Sequence, residues 1–99
     1  MNEVPAAGAD GGHRRIVVIC NRRGLHARAA ARFVKLADQF EAEITVAKNG
    51  TAVSGRSIMG LMMLAAGPGT TIELLCQGPD AERALAALAA LVTCGFDEE

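Results

Sequence analysis

The chain has 99 residues, of which 51% are hydrophobic and 21% charged, with a formal net charge of -1; this suits one soluble domain and excludes a disordered chain or a repeat array. A pI of about 6.1, with three Phe and no Trp or Tyr, leaves neither a basic footprint nor stacking platforms, so nucleic acid is not an expected partner. No run reaches the roughly 18 apolar residues of a membrane span, and the N-terminus lacks the apolar segment of a secretory signal, so the expectation is a cytoplasmic protein with no membrane contact. A chain of this size buries roughly 60–70% of its unfolded surface, which makes any active site shallow.

Residues 1–13 hold Pro5, Gly8, Asp10, Gly11 and Gly12 with little apolar bulk, and read as a flexible tail that includes His13. A domain is expected over 14–95 and a short C-terminal tail over 96–99. RRIVVIC (14–20) is β-branched and reads as a strand. From Ala27 to about Gln39, Ala27, Ala30, Ala31, Val34 and Ala37 recur at helical spacing while Arg28, Arg32, Lys35 and Asp38 lie off that stripe. EITVAKNGTAVSG carries Asn49-Gly50 between two alternating runs, a hairpin signal because both residues tolerate the positive φ of a type I′ turn. SIMGLMMLAAG (57–67) predicts a short helix with Ser57 as N-cap, weakened by Gly60 and stopped by Gly67-Pro68-Gly69. TTIELLCQ (70–77) is a strand, and Gly78-Pro79-Asp80 opens a last helix with Pro79 at its first position and Gly95 at its end.

This order predicts an α+β two-layer domain, helices on one face of a largely antiparallel sheet. Cys20, Cys76 and Cys94 have no metal-ligand spacing and are expected to be reduced and mostly buried. No metal or organic cofactor is expected.

The chemistry concentrates at GLHARAAARF. With His26 at the start of the first helix, the N–H groups of Ala27, Arg28 and Ala29 face the space beside the imidazole, and the helix dipole favours an anion there. The same positive end disfavours imidazolium and leaves a nucleophilic lone pair. Arg28 adds a planar, permanently charged fork for phosphate oxygens. A phosphorylated ring nitrogen is a good leaving group, which suits a relay. Taken alone, a histidine at a helix start is more often a surface residue or a cap.

GLHARAAARFV (24–34) together with SGRSIMGLMML (54–64), in the order β-α-β-β-α-β-α, resembles HPr, the histidine-containing phosphocarrier family of the bacterial phosphoenolpyruvate:sugar phosphotransferase system and its nitrogen-related branch, over residues 14–94. The resemblance implies an open-faced sandwich of three helices over a four-stranded antiparallel sheet of order 1-4-2-3. It also implies that His26 accepts phosphate at Nδ1 from phosphorylated enzyme I and passes it to an EIIA-type domain, with Arg28 neutralising the phosphoryl charge. Gly24 matches the family's turn glycine, and Ser57 its regulatory serine, the target of an HPr kinase/phosphorylase. Ala29 stands where the family usually has proline, which restores a backbone N–H to the first turn.

Ser57 also has a plainer role as N-cap. Among the apolar residues after it, Leu61, Met63 and Leu64 are expected in the core, and Ile58, Met59 and Met62 on an exposed docking patch suited to several partners. The expected molecule is a monomeric carrier, not a turnover enzyme. The alternative is a regulatory interaction module whose phosphorylation state selects partners; a hydrolytic or metal-dependent enzyme is disfavoured for lack of carboxylates near His26 and of clustered ligands.

Overall fold

The computed structural model describes residues 12–98: β1 (Gly12–Val18), α1 (Ala27–Ala37), β2 (Glu43–Lys48), β3 (Thr51–Ser54), α2 (Ile58–Met63), β4 (Thr71–Gln77) and α3 (Ala81–Thr93), then a short turn at Gly95–Asp97. The strands form one antiparallel sheet in the order β1-β4-β2-β3. Alternation along β4 sends Ile72, Leu74 and Cys76 inward, where they meet Val17, Ile19, Ile44 and Val46 from the neighbouring strands. The helices cover that face with Ala30, Phe33, Leu61, Leu85, Leu88 and Val92, all buried. Alanines make up much of the buried faces of α1 and α3; α3 packs on β1 and β4, and α1 packs beside α2 and α3. The α+β two-layer architecture is the one expected.

Local chemistry explains the turns. Asn49 and Gly50 take positive φ, 50° and 85°, and join β2 to β3 with Lys48 opposite Thr51. Gly60, read from sequence as a weak point in α2, fits a tight spot: a Cβ at Gly60 would lie 3.0 Å from Ser57 Oγ and 3.1 Å from Val53 Cβ, so those side chains would have to shift. Its absence lets α2 seat against β3.

Several expectations need correction. Of the tail expected over 1–13, residues 1–11 lie outside the described residues, but Gly12 and His13 belong to β1, paired with Gln77 and Cys76 of β4. At the other end, 96–98 is no tail: Phe96 is fully buried, and Glu98 reaches back across the fold to the helix start. Helix α2 stops at Met63, short of the glycines, because Ala65 turns to a φ of 54°. Helix α3 begins at Ala81, not Pro79, with Asp80 as its N-cap; the Asp80 Oδ2 accepts from the Glu41 N–H at 2.7 Å and ties the α1–β2 connection to α3. Met63, expected in the core, is 74% exposed, since a helix this short turns only one face inward. Cys76 is buried, whereas Cys20 and Cys94 are exposed.

Arg56 carries a role that no motif announces. Its guanidinium donates to the carbonyls of Ala37, Phe40 and Ala42 at 3.1, 2.9 and 2.9 Å, and to Asp38 Oδ1 at 3.1 Å. It therefore satisfies the carbonyls at the end of α1 and holds the loop that follows. Arg56→Met keeps the stem but loses these charge-assisted bonds, and urea denaturation should show a loss of about 1–3 kcal/mol.

Candidate functional site

The site begins with a loop that only glycine can close. Gly24 has a φ of 67°, and a Cβ there would run into the Ala66 carbonyl oxygen and come within 2.9 Å of Gly67 Cα. The Leu25 N–H donates to that same Ala66 carbonyl at 2.9 Å. The loop is thus pinned against the α2–β4 connection, and the next residue enters a helix. His26 is the N-cap of α1, extended at φ -78° and ψ 179°, and its carbonyl accepts from Ala30 N–H at 2.8 Å.

Both ring nitrogens of His26 are engaged. Nδ1 accepts from the backbone N–H of Arg28 at 3.3 Å. Nε2 lies 2.6 Å from Glu98 Oε2. An N–H donor facing Nδ1 requires a lone pair on that atom, so the proton sits on Nε2, donated to Glu98. Glu98 is in turn held by Asn21, whose buried amide Nδ2 donates to Glu98 Oε1 at 3.0 Å and to the Gly24 carbonyl at 2.8 Å. Asn21 thereby joins the glycine turn, the carboxylate and the histidine in one network.

The carboxylate is positioned from the other side by Phe96. Gly95, Phe96 and Asp97 take successive positive φ values of 71°, 58° and 62°, a conformation that costs a non-glycine residue roughly 1–2 kcal/mol. The full burial of the Phe96 ring maintains it. The Arg32 guanidinium donates to the Phe96 carbonyl, fastening this turn to α1.

The Asn21 amide, then the hydrogen bond and charge of His26 and the charge of Arg32, hold the Glu98 carboxyl below its usual 4.5 against the opposing effect of desolvation. A depressed carboxyl stabilises the fold above its unfolded value and loses that contribution as pH falls through the folded one. The NMR signals of the His26 ring should therefore move as pH drops below about 4.5, following release of Glu98, and Glu98→Gln should remove that step.

Around His26 lies an open cleft of about 500 Å³ lined by Arg22, Arg23, Arg28, Arg32, Asp97 and Glu98. Of the amides expected to cradle an anion, those of Ala27 and Arg28 belong to exposed residues. Ala29 is fully buried, so its amide is shut off from the cleft and drops out of the cradle. Ser57 caps α2 by accepting from Gly60 N–H at 2.9 Å. Beyond it Ile58, Met59 and Met62 are exposed, at 41%, 72% and 44%. The expectation that no carboxylate lies near His26 fails at Glu98, along with Asn21, Arg32 and Phe96, which sequence reasoning missed. The one available hint was an aromatic residue isolated among acidic ones after Gly95.

The chain is similar to a known family and to solved structures. Residues 13–93 match the family described as PTS HPr component phosphorylation site. The chain is 51% identical to the phosphocarrier protein NPr of Shewanella violacea over 84 residues, covering 85% of this chain and 92% of that protein. It is 50% identical to the phosphocarrier protein HPr of Neisseria meningitidis over 82 residues, covering 83% and 92%. Similar solved structures include HPr from Bacillus anthracis, with a TM-score of 0.79 at 46% identity over 82% of this chain and 96% of that one. Another is an HPr from Thermoanaerobacter tengcongensis, with a TM-score of 0.84 at 40% identity over 88% and 98%. The fold, the histidine-bearing helix start and these relatives together place the chain in the HPr family, the phosphocarrier proteins of the phosphotransferase system.

Proposed function

We propose that this phosphocarrier works through Nδ1 of His26, accepting a phosphoryl group from phosphorylated enzyme I and passing it to an EIIA-type protein. The observation that carries the reading is the pairing of Nε2 with Glu98, which leaves the lone pair on Nδ1. In the transfer, that lone pair attacks phosphorus in line with the bond to the donor nitrogen; the new P–N bond forms as the old one breaks, and the donor keeps the electron pair. The Arg28 amide, held only at 3.3 Å, exchanges Nδ1 for a phosphoryl oxygen, and the Arg28 guanidinium offsets the added charge. With Nε2 still protonated, the ring becomes cationic, and Glu98 stabilises that cation much as a buried carboxylate does in a catalytic triad. Onward transfer reverses these steps.

Glu98→Gln keeps an acceptor at Nε2 but removes the charge that stabilises the cationic ring. Its transfer rate from enzyme I should fall about tenfold, corresponding to roughly 1.4 kcal/mol, with the fold unchanged by circular dichroism. A rate equal to that of the unaltered chain would remove Glu98 from the mechanism.

The docking surface in this reading is Ile58, Met59 and Met62, exposed apolar side chains of α2. Ser57 is its regulatory position: a phosphate there adds charge of about -1.5 to -2 at a helix start that accepts it, so the effect falls on partners and not on the fold. Ser57→Asp should slow transfer from enzyme I while leaving the circular dichroism spectrum intact. Loss of fold in that variant would reduce Ser57 to its capping role.

A further inference from the structure

The phosphotransfer chemistry makes no use of sulfur, yet two of the three cysteines meet at the end of α3. The Cys20 thiol, just beyond β1, contacts the carbonyls of Val92 and Thr93 at 3.5 and 3.4 Å. It also lies 3.9 Å from the Cβ position of Gly95. The residue before Cys94 thus touches the Cys20 sulfur, and the residue after it turns its open Cβ side toward it. Standard backbone dimensions put a carbonyl oxygen about 3 Å from the next Cα, which brings the Cys94 Cα within about 6.5 Å of that sulfur. Both thiols belong to exposed residues.

The Cys94 thiol points along its own helix end, toward Leu91 O and Asp97 Oδ1, each at 3.3 Å. These are weak sulfur hydrogen bonds, and Cys94 is the last residue before the glycine hinge at Gly95, with a φ of 71°. Closing the pair requires a χ1 rotation of Cys94 and an adjustment of this helix end that bring the two Cβ atoms to disulfide distance. Cys76 is different: it is buried in the sheet, and burial pushes its thiol up to about 11, which suppresses the reactive thiolate.

We propose that Cys20 and Cys94 form a reversible thiol–disulfide pair that responds to hydroperoxides. One thiolate attacks the peroxide oxygen and becomes a sulfenic acid as the peroxide bond breaks and water or an alcohol leaves. The second thiol attacks the sulfenic sulfur, forming the S–S bond and releasing water. Two electrons pass from the sulfurs to the peroxide, and a dithiol reductant reverses the change. The bridge would join the residue preceding Asn21 to the turn that presents Glu98, on either side of the His26 network.

The test uses the full chain, treated separately with hydrogen peroxide and with diamide. Arg15, Arg22, Arg56 and Arg83 put the three cysteines on separate tryptic peptides. Expected are loss of two hydrogens from the intact mass, a peptide pair joining Cys20 to Cys94, Cys76 as the one thiol still alkylated after denaturation, and full reversal by dithiothreitol. Cys20→Ser and Cys94→Ser, each checked for fold by circular dichroism, should lose the bridge. Oxygen added to separate cysteines, a covalent dimer, a bridge to Cys76, or three unchanged thiols under both oxidants would each overturn the proposal. None of these outcomes depends on phosphotransfer.

Discussion

His26→Ala should take up no phosphoryl label when incubated with phosphoenolpyruvate and enzyme I, while the unaltered chain gains an acid-labile, base-stable label. The loss is expected to be complete because no neighbouring group substitutes for Nδ1. Arg28 stays protonated and cannot act as a nucleophile, and Glu98 and Asp97 would yield acyl phosphates, which are not base-stable. The fold should survive, since the substitution removes only the 3.3 Å cap to Arg28 N–H and the Glu98 contact, and an N-cap is typically worth about 1 kcal/mol. His13→Ala provides the control. That residue pairs with Cys76 in the sheet, remote from the helix start, and the variant should be labelled fully. Label persisting on His26→Ala would overturn the carrier assignment to this residue.

Phe96→Ala should be the most damaging single truncation near the site. The ring is fully buried, and Phe-to-Ala changes in cores cost about 3–5 kcal/mol. It also anchors a turn in left-handed conformation; without the ring's burial, nothing compensates for that backbone. Urea denaturation should show the loss. Under conditions where the variant remains folded, the His26 ring signals should lose their dependence on Glu98, because the carboxylate is no longer delivered to Nε2. Phe96→Leu, which restores much of the apolar volume, should recover most of the stability. A variant as stable as the parent would show that the C-terminal turn does not organise the site.

The two variants separate two kinds of information. The helix start around His26 was legible because capping, a glycine turn and the apolar stripe of α1 all act within a few residues of one another. The strands and the Asn49–Gly50 hairpin were legible for the same reason: alternation and turn chemistry are local. Element ends were less so. Where α2 stops depends on Ala65 adopting positive φ, and α3 begins at Ala81, after Asp80 turns to bond Glu41.

The sequence by itself determined the order of elements and placed a histidine at the start of the first helix. Only the tertiary structure decided which nitrogen of that histidine carries the proton. The deciding partners, Glu98 to His26 and Asn21 to Glu98, are separated by 72 and 77 residues, and no periodicity or spacing rule links positions so far apart. The same holds for Arg56, three of whose partners are carbonyl groups of the backbone. Backbone acceptors are the same in every residue and leave no mark in a sequence, so their pairing emerges only when the sheet and helices bring distant segments together.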